Sequence, residues 1–311
     1  MPRRIIIDTD PGKDDAAAIL LALASPAELE VMALVAVAGN VPVTRTSRNA
    51  RALAALAGRP DLPVHAGCAR PLVRPPITAE HVHGSTGLHG LDLPDPATLL
   101  RPGHGVDYLV DTLRAAPPGE VTLCLLGPAT NLALALVKAP DIAGRIAEVV
   151  WMAGARREGG NVTPAAEFNV HADPEAAAVV LGSGVPLTLV PLDLTHQVRL
   201  TADRLARLRQ VGTAAARAVV ALFADPNAGP PHDRGGAPLH DPCVIAHLLR
   251  PGLFGGAHIN VAVETGSPLT LGMTVADRHG VTGRAPNATW LDQADADGMF
   301  ALLFERLARL P

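Results

Sequence analysis

Short, continuous runs of apolar residues alternate with longer alanine- and leucine-rich segments along nearly the whole chain. The apolar runs predict strands, and because they are continuous, they indicate strands covered on both faces by helices, as in a parallel sheet. The predicted strands are 5–7, 31–37, 121–126, 149–152, 185–190 and 259–263. The predicted helices are 15–24, 45–57, 108–115, 131–137, 174–181, 202–224 and 242–249. This order is typical of βαβ units and predicts an α/β fold.

The chain is long and apolar enough to fold without disulfide or metal support. Its 311 residues, 48% of them hydrophobic, can bury the core of one large α/β domain or of two modest ones. The stretch densest in glycine and proline, 227–238, lies in mid-chain and does not separate two compositionally distinct halves. It therefore favours a loop or lid over a linker between domains.

Charge and cysteine content exclude several classes of partner. The net charge is only −4 and the arginines are dispersed, so no basic stripe can follow a phosphate backbone and nucleic acid is not expected. Cys68, Cys124 and Cys243 are widely spaced without a CxxC pair, which argues against a disulfide framework or a thiolate zinc site and fits a reducing cytosol. The apolar runs are too short for a signal peptide or a membrane span. We therefore expect a cytoplasmic protein without a membrane partner.

Four aspartates stand within eight positions in the segment DTDPGKDDA at 8–16: Asp8, Asp10, Asp14 and Asp15. Capping of a helix start explains one or two of them. Four carboxylates at the carboxyl end of one strand repel each other unless a cation lies among them, and open α/β sheets bind ligands at that end. We therefore predict a metal site, with a purely structural acidic turn as the alternative. Oxygen ligands favour Ca²⁺ or Mg²⁺ over zinc, and apolar Ile19 excludes an EF-hand because that loop requires a glutamate there.

Further polar residues follow other predicted strands or precede helices. Taken singly, each has an ordinary explanation as a turn, a loop or a helix cap. Glu167 is an exception, because it lies between Ala166 and Phe168 in a stretch that otherwise looks half-buried. Taken together, these carboxylates, amides and one imidazole predict a site that grips a polyhydroxylated ligand beside a metal. The residues are Asn40, Thr130, Asn131, Asn161, Glu167, Asn169, His240 and Asp241.

The same motifs resemble, in order and spacing, the nucleoside hydrolases of the inosine-uridine-preferring type. They are DTDPGKDDA at 8–16, GN at 39–40, GPATNLA at 127–133, AEFNVHADPEAA at 166–177 and LHDPC at 239–243, supported by HVHGSTGLHG at 81–90, LDLTHQ at 192–197 and LTLGMTVAD at 269–277. The resemblance implies one domain over 1–311, with a Rossmann-like, mostly parallel central sheet and helices on both faces. It also implies one tightly bound Ca²⁺, hydrolysis of the N-glycosidic bond of ribonucleosides in purine and pyrimidine salvage, and a homodimer or homotetramer.

The resemblance also implies a role for individual residues. Metal ligands would be the side chains of Asp10, Asp15 and Asp241 and the backbone carbonyl of Thr130, with Asp8 behind them. The ribose hydroxyls would be held by Asp14, Asn40, Asn161, Glu167 and Asn169. Met152 and Phe168 would line the sugar pocket, and His83 would lie near the base.

The chemistry of glycoside cleavage agrees with those residue types. Breaking the bond from C1′ to the base produces an oxocarbenium-like sugar, so the protein must supply a water, stabilise positive charge and activate the leaving group. Ca²⁺ can bind the ribose cis-hydroxyls and the water, while Asp10 accepts the proton of the water. His240 is the candidate acid for the leaving base, with simple packing or capping as the alternative.

The base side of the site departs from the family. Members often carry aromatic side chains before HDP to stack on the base, but 222–238 here holds only Phe223 near its start. His232 is a candidate substitute as the stacking or donating group, but the sequence favours an exposed loop histidine without a role. The preference for purine or pyrimidine is therefore left open.

Two other classes of protein share part of this pattern. A phosphotransferase of the haloacid dehalogenase type would use the Asp-x-Asp pair of Asp8 and Asp10, but Pro11 and Gly12 stand where a threonine or valine is usual. A non-catalytic receptor for a sugar or nucleoside would share the ligand set and fail to turn over. The products distinguish the three classes: a nucleoside hydrolase releases the base, a phosphotransferase releases phosphate, and a receptor binds its ligand without forming products.

Overall fold

The computed structural model describes residues 1–224 and 235–311. Within these residues the strands are β1 (Arg3–Thr9), β2 (Leu29–Ala36), β3 (Val64–Ala66), β4 (Val121–Leu125), β5 (Ile146–Trp151), β6 (Leu187–Leu189), β7 (Arg199–Leu200), β8 (Ala237–Pro238), β9 (Phe254–Val263), β10 (Thr274–Asp277) and β11 (Ala288–Ala294). The α-helices are α1 (Lys13–Leu23), α2 (Val43–Leu56), α3 (Glu80–His83), α4 (Gly105–Ala115), α5 (Thr130–Lys138), α6 (Phe168–Ala172), α7 (Pro174–Leu181), α8 (Leu192–Thr195), α9 (Ala202–Val211), α10 (Ala214–Phe223), α11 (Pro242–Leu249) and α12 (Ala296–Leu307).

Nine of the strands form one sheet in the order β10-β9-β11-β6-β5-β4-β1-β2-β3. The seven strands from β3 to β11 pair in parallel, whereas β9 is antiparallel to both of its neighbours. The carboxyl ends of parallel strands lie at one edge of a sheet, so the segments that follow β1, β2, β4, β5 and β6 meet there. The predicted single-domain α/β fold with a mostly parallel sheet is confirmed.

Apolar layers cover both faces of the sheet, as the continuous apolar strands predicted. In β1, Ile5 and Ile7 pack with one layer, which includes α1 and α11, while Ile6 packs with the other, which includes α4 and α5. All three isoleucines are fully buried. Burial on both faces fixes the register of β1 and therefore the position of the acidic turn that follows it.

The predicted helix 202–224 is wrong, because two helices occupy this stretch. Gly212 ends α9 in the left-handed conformation (φ 77°), which glycine adopts without the steric cost of a Cβ. The hydroxyl of Thr213 then accepts the backbone N–H of Ala216 at 3.1 Å and caps α10. Elements that the sequence did not predict include β3, β10, β11 and α12.

In the part of the chain that the structure describes, no helix combines the length and the apolarity needed to cross a bilayer. Cys68, Cys124 and Cys243 are all buried and unpaired with one another, in agreement with the expectation that the fold carries no disulfide framework.

Candidate active site

The turn between β1 and α1 is organised by the carboxylate of Asp15. Its Oδ1 accepts the hydroxyl of Thr9 at 2.6 Å and the backbone N–H of Asp10 at 3.2 Å. Its Oδ2 accepts the backbone N–H of Gly12 at 3.0 Å. Asp15 lies in the first turn of α1, where a carboxylate satisfies N–H groups that the helix leaves free. Capping therefore accounts for one of the four aspartates, as the sequence allowed.

Asp10 is fully buried at the end of β1, between two glycine-containing loops. Its Oδ2 accepts the backbone N–H of Asn40 at 2.7 Å, whereas Oδ1 has no hydrogen-bond partner among the described residues. A Cβ on Gly39 would lie 2.0 Å from Oδ2, and one on Gly127 would lie 2.4 Å from Oδ1. Burial and the nearby charge of Asp15 raise the pKa of Asp10 well above its ordinary value. Half of this carboxylate is thus fixed by the chain and half is available to a ligand.

Three carboxylates come together beside it. Oxygens of Asp14, Asp15 and Asp241 all lie within 4.8 Å of one another. Burial, followed by the charge of Asp15, raises the pKa of Asp14 to about 7, and burial, followed by the charge of Asp14, raises the pKa of Asp241 well above its ordinary value. Such a cluster is costly without a compensating cation, and hard divalent cations prefer carboxylate oxygens. The donor set and the orphaned oxygen of Asp10 therefore fit a metal ion.

The predicted ligand set and the observed cluster overlap without being identical. Asp15 and Asp241 belong to both. Asp14, predicted to hold the ribose, lies within the cluster, whereas Asp10, predicted to be a ligand, is not one of the three.

Thr130 is the first residue of α5, and hydrogen bonds fix its side chain. Its hydroxyl donates to Oδ2 of Asp173 at 2.7 Å, and the same oxygen accepts the backbone N–H of Leu72 at 2.9 Å. Asn131 donates from Nδ2 to Oδ1 of Asp8 at 3.0 Å. Burial raises the pKa of Asp8 to about 8. These contacts fix the start of α5 against Asp173 and Asp8, and the roles of the Thr130 carbonyl and the Asp8 carboxylate at a metal stay predictions.

Two of the predicted ribose residues, the amides Asn40 and Asn169, are buried. Asn40 donates from Nδ2 to Oδ2 of Asp15 at 3.2 Å. Asn169 donates from Nδ2 to the backbone carbonyls of Leu126 at 2.8 Å and Met152 at 3.0 Å. Both amides therefore use their N–H groups on the protein, and their orientations are fixed before any ligand binds.

Glu167 caps α6 with its side chain. Oε1 accepts the backbone N–H of Asn169 at 2.8 Å, and Oε2 accepts those of Gly154 at 3.0 Å and Val170 at 3.2 Å. Burial raises the pKa of Glu167 to about 7, although the three N–H groups favour its charged form. The half-buried position predicted from the sequence is in fact fully buried, and the residue joins the segment after β5 to α6.

Asn161 and Phe168 lie further out. Asn161 is exposed in the loop before α6, and its Oδ1 accepts the backbone N–H of Phe168 at 2.9 Å. Phe168 is partly buried and begins α6. Asn161 and Phe168 thus meet at the start of α6, and Met152 is buried; their places around the sugar stay predictions.

His83 belongs to the same neighbourhood as the acidic turn. Its Nδ1 accepts the backbone N–H of Lys13 at 3.1 Å. Burial lowers the pKa of His83 to about 3, so the ring is neutral, and a nitrogen that accepts an N–H carries no proton. The proton of His83 is therefore on Nε2, which makes this nitrogen a hydrogen-bond donor.

His240 immediately precedes Asp241 and is partly buried. Its Nδ1 lies 2.8 Å from the hydroxyl oxygen of Thr195, and its ring centroid lies 5.8 Å from that of His196. Burial, with smaller contributions from His196 and His83, lowers the pKa of His240 to about 3. His83, the other histidine predicted for the base side, is thus one of the groups that lower the pKa of His240.

Several residues that hold the site were not singled out from the sequence. Asp173, Thr195 and Glu158 contact predicted site residues or their neighbours, and Oε2 of Glu158 lies 2.9 Å from Nδ1 of His196. Thr195 lies in the motif LDLTHQ, whose polar residues follow a predicted strand and could have indicated a place near the site. His232 and most of 227–238 lie outside the described residues.

The structure is an α/β fold in which three carboxylates suited to a metal ion, those of Asp14, Asp15 and Asp241, lie close together. Residues 5–301 match the family described as inosine-uridine preferring nucleoside hydrolase, and the chain belongs to that family.

Individual relatives agree with this assignment. The chain is 45% identical to the pyrimidine-specific ribonucleoside hydrolase RihA of Salmonella gallinarum over an alignment of 307 residues. This alignment covers 97% of each chain. The structure of the chain is similar to the purine-preferring ribonucleoside hydrolase from Gardnerella vaginalis, with a TM-score of 0.90 and 29% identity over 98% of each chain. It is also similar to an inosine-guanosine nucleoside hydrolase, with a TM-score of 0.91 and 29% identity over 100% of each chain. The protein is therefore a ribonucleoside hydrolase, and the predicted family and enzyme class are confirmed.

Proposed function

We propose that this enzyme uses one Ca²⁺ ion at the acidic cluster to hydrolyse the N-glycosidic bond of ribonucleosides, with a preference for pyrimidines, and acts in nucleoside salvage. The observation that supports the calcium mechanism is the buried, unpartnered Oδ1 of Asp10 beside three clustered carboxylates. A buried carboxylate oxygen without a partner is unusual and indicates a ligand or a reacting group.

Asp15 and Asp241 would hold the ion, with Asp10, the carbonyl of Thr130 and, from its place in the cluster, Asp14 as the further candidates. When bound, Ca²⁺ supplies a positive charge that orients ribose hydroxyls and an attacking water and favours loss of a proton from that water. Oxygen-only ligands and the flexible coordination of Ca²⁺ support this ion over zinc.

Asp10 is suited to accept the proton of the attacking water. Asn40 holds Oδ2 through its backbone N–H, so Oδ1 is presented in one orientation. Burial raises the pKa of Asp10 in the metal-free chain, whereas a cation beside it favours the ionised carboxylate, which is the form that accepts a proton. The neighbouring loops at Gly39 and Gly127 leave no room for the carboxylate to turn away.

The ribose would lie over the floor formed by Met152, Asn169 and Glu167, with Asn40 and Asp14 at one side. Their carboxylate and amide oxygens can accept hydrogen bonds from ribose hydroxyls and stabilise the positive charge that develops on the sugar. Asn161 and Phe168 would close the outer rim.

The leaving base would face His83 and His240. Nε2 of His83 is the donor nitrogen of a neutral ring, because Nδ1 accepts the N–H of Lys13. In the proposed mechanism, His240 donates a proton or a hydrogen bond to the departing base.

The pyrimidine preference is supported by the relative RihA, whose identity of 45% exceeds the 29% of the purine-preferring and inosine-guanosine structures. Few aromatic side chains are free to stack on a base: Trp151 and Trp290 are buried, and Tyr108 stacks on His65 at 4.1 Å. Recognition by polar groups is therefore favoured.

A panel of uridine, cytidine, inosine and adenosine, with base and ribose both quantified, tests the activity. We expect equal amounts of base and ribose, with kcat/KM for uridine or cytidine exceeding that for inosine. Equal or greater activity on inosine would overturn the pyrimidine preference alone. Phosphate release from a phosphomonoester, or tight binding of uridine without products, would instead support the phosphotransferase or the receptor.

Cytoplasmic location and a homodimer or homotetramer remain part of the proposal. The first follows from the three unpaired cysteines and the second from the family resemblance. Light scattering coupled to size exclusion measures the subunit number, and a monomer at working concentration would contradict the second.

A further inference from the structure

The motif LDLTHQ at 192–197 is anchored to neighbouring segments and contacts His240 through Thr195 and His196. It follows β6 and forms α8 and the first turn beyond it. Asp193 is buried and accepts the backbone N–H groups of Arg156 and Arg157, each at 2.7 Å. Gln197 donates from Nε2 to the backbone carbonyl of Asp292 at 2.9 Å. These contacts tie α8 to the segment after β5 and to β11, so its side chains are held in fixed positions.

Thr195 is the member of this motif that contacts His240. It is fully buried, and its Oγ1 lies 2.8 Å from Nδ1 of His240. A threonine at the end of a helix commonly bonds to the carbonyl four residues earlier. Among the described residues, however, the hydrogen-bond partner of this hydroxyl is the imidazole of His240.

The direction of this hydrogen bond depends on whether the proton between the two atoms belongs to Nδ1 of His240 or to the hydroxyl of Thr195. If Nδ1 carried the proton, it would donate to Oγ1, and the hydroxyl proton of buried Thr195 would have no acceptor among the described residues. A buried hydroxyl without an acceptor costs stability. Donation from Oγ1 to Nδ1 satisfies both groups and leaves the proton of the neutral ring on Nε2.

We propose that Thr195 is a positioning residue that holds the ring of His240 with a protonated Nε2, the nitrogen that faces away from Thr195, available to the leaving base of the ribonucleoside. The proposal rests on the role proposed above for His240. Through Thr195, the motif LDLTHQ would fix both the orientation and the tautomer of the His240 imidazole, which assists departure of the base.

Three variants test this assignment. Thr195→Val removes the hydroxyl and keeps the branched shape, whereas Thr195→Ser keeps the hydroxyl. The matched control is Thr188→Val, which removes a buried hydroxyl that donates to Glu148 at 2.8 Å, away from the imidazoles. Calcium content and melting temperature are measured for each protein, so that loss of fold or metal is detected.

For uridine, we expect Thr195→Val to lower kcat roughly ten- to a hundredfold with little change in KM, because a preorganised hydrogen-bond donor at a developing negative charge supplies about a hundred- to a thousandfold and the variant only misorients this donor. Thr195→Ser should restore most of this loss, and Thr188→Val should resemble the wild type. Hydrolysis of p-nitrophenyl riboside, whose leaving group needs no proton, should be largely spared in Thr195→Val. Unchanged uridine turnover, or equal losses on both substrates, would overturn the proposal.

The second readout does not depend on turnover. In ¹⁵N-histidine-labelled protein, the ring signals of His240, identified by their disappearance in His240→Gln, should show the Nε2–H tautomer in the wild type and in Thr195→Ser. Thr195→Val should show a mixture of tautomers. An Nδ1–H wild-type ring, or a pattern unaffected by Thr195→Val, would overturn the positioning role. If the wild type releases no base from any ribonucleoside, the proposed function fails, and these spectra still decide the role of Thr195.

Discussion

The carboxylate of Asp10 occupies the space that a side chain on Gly39 would need, since a Cβ at Gly39 would lie 2.0 Å from Oδ2. The same oxygen is held by the backbone N–H of the next residue, Asn40, at 2.7 Å. The loop after β2 therefore approaches Asp10 at the distance of a hydrogen bond, which only a residue without a Cβ permits.

Gly39→Ala should displace the carboxylate of Asp10 and break its bond to Asn40. We expect uridine hydrolysis to fall about a hundredfold or more, because a misplacement of about 1 Å in a catalytic group has an effect of this size. The matched control is Gly144→Ala, since no atom lies within 4 Å of a Cβ there. Wild-type kcat/KM in Gly39→Ala would show that this close approach is unimportant.

Glu167→Gln replaces one acceptor oxygen by an amide that faces backbone N–H groups. Oε1 and Oε2 both accept such groups in the native protein, so the glutamine must leave at least one of them unpaired. We expect the free energy of unfolding in urea at pH 8 to fall by about 1–3 kcal/mol. Glu305→Gln, an exposed change on α12, should cost less than about 0.5 kcal/mol. Equal stabilities of the two variants would contradict the capping role.

Removal of calcium should make the stability of the protein depend on pH in a defined direction. In the metal-free chain, burial raises the pKa of Asp14 to about 7 and that of Asp8 to about 8. The folded state thus binds protons more tightly than the unfolded chain. The contribution of these two carboxyl groups to the free energy of unfolding is therefore fully present below the ordinary carboxyl pKa of about 4 and is lost as the pH rises through 7 to 8.

The melting temperature of chelator-treated protein should therefore fall between about pH 5.5 and about pH 8, and calcium should raise it more at the higher pH. Differential scanning calorimetry at both pH values measures this. A melting temperature that increases with pH in the absence of calcium, or a larger calcium effect at the acidic pH, would contradict the assignment of the cluster.

His240→Ala should affect substrates according to their leaving groups. Uridine hydrolysis should slow by roughly a hundred- to ten-thousandfold, while p-nitrophenyl riboside, which departs without protonation, should retain most of its turnover. His279→Ala, on an exposed loop, is the control and should change neither rate. Equal losses on both substrates, with reduced calcium, would instead indicate damage to the adjacent Asp241.

The sequence predicted β1, β2, β4, β5 and β6, at the centre of the parallel sheet, because they are buried on both faces and read as continuous apolar runs, whereas β3 and β11, at the two ends of the parallel part, were missed. The strand pair β9 and β10 is antiparallel and partly exposed, and β10 (Thr274–Asp277) has no such run. The helix 202–224 was predicted as one element because its apolar pattern continues through Gly212, where the backbone conformation changes.

The candidate site was predictable to the extent that its residues follow strands directly. Asp10 follows β1 directly and Asn40 lies shortly after β2, whereas Glu167 lies far beyond β5, at the start of α6; the structure adds how each is held, and their roles stay predictions. Contacts between distant segments were not predictable from local patterns: the hydroxyl of Thr195 meets His240, 45 positions away, only because α8 and the segment before α11 meet in the fold.

In the proposed mechanism, hydrolysis depends on a calcium ion held by the acidic cluster. A calcium titration of chelator-treated protein, in which bound metal and uracil released from uridine are followed in the same sample, tests this dependence. We expect activity to rise in proportion to bound calcium and to saturate at one ion per chain, and we expect Asp241→Asn to lose both the metal and the activity. Full turnover in protein verified to hold no metal would contradict it.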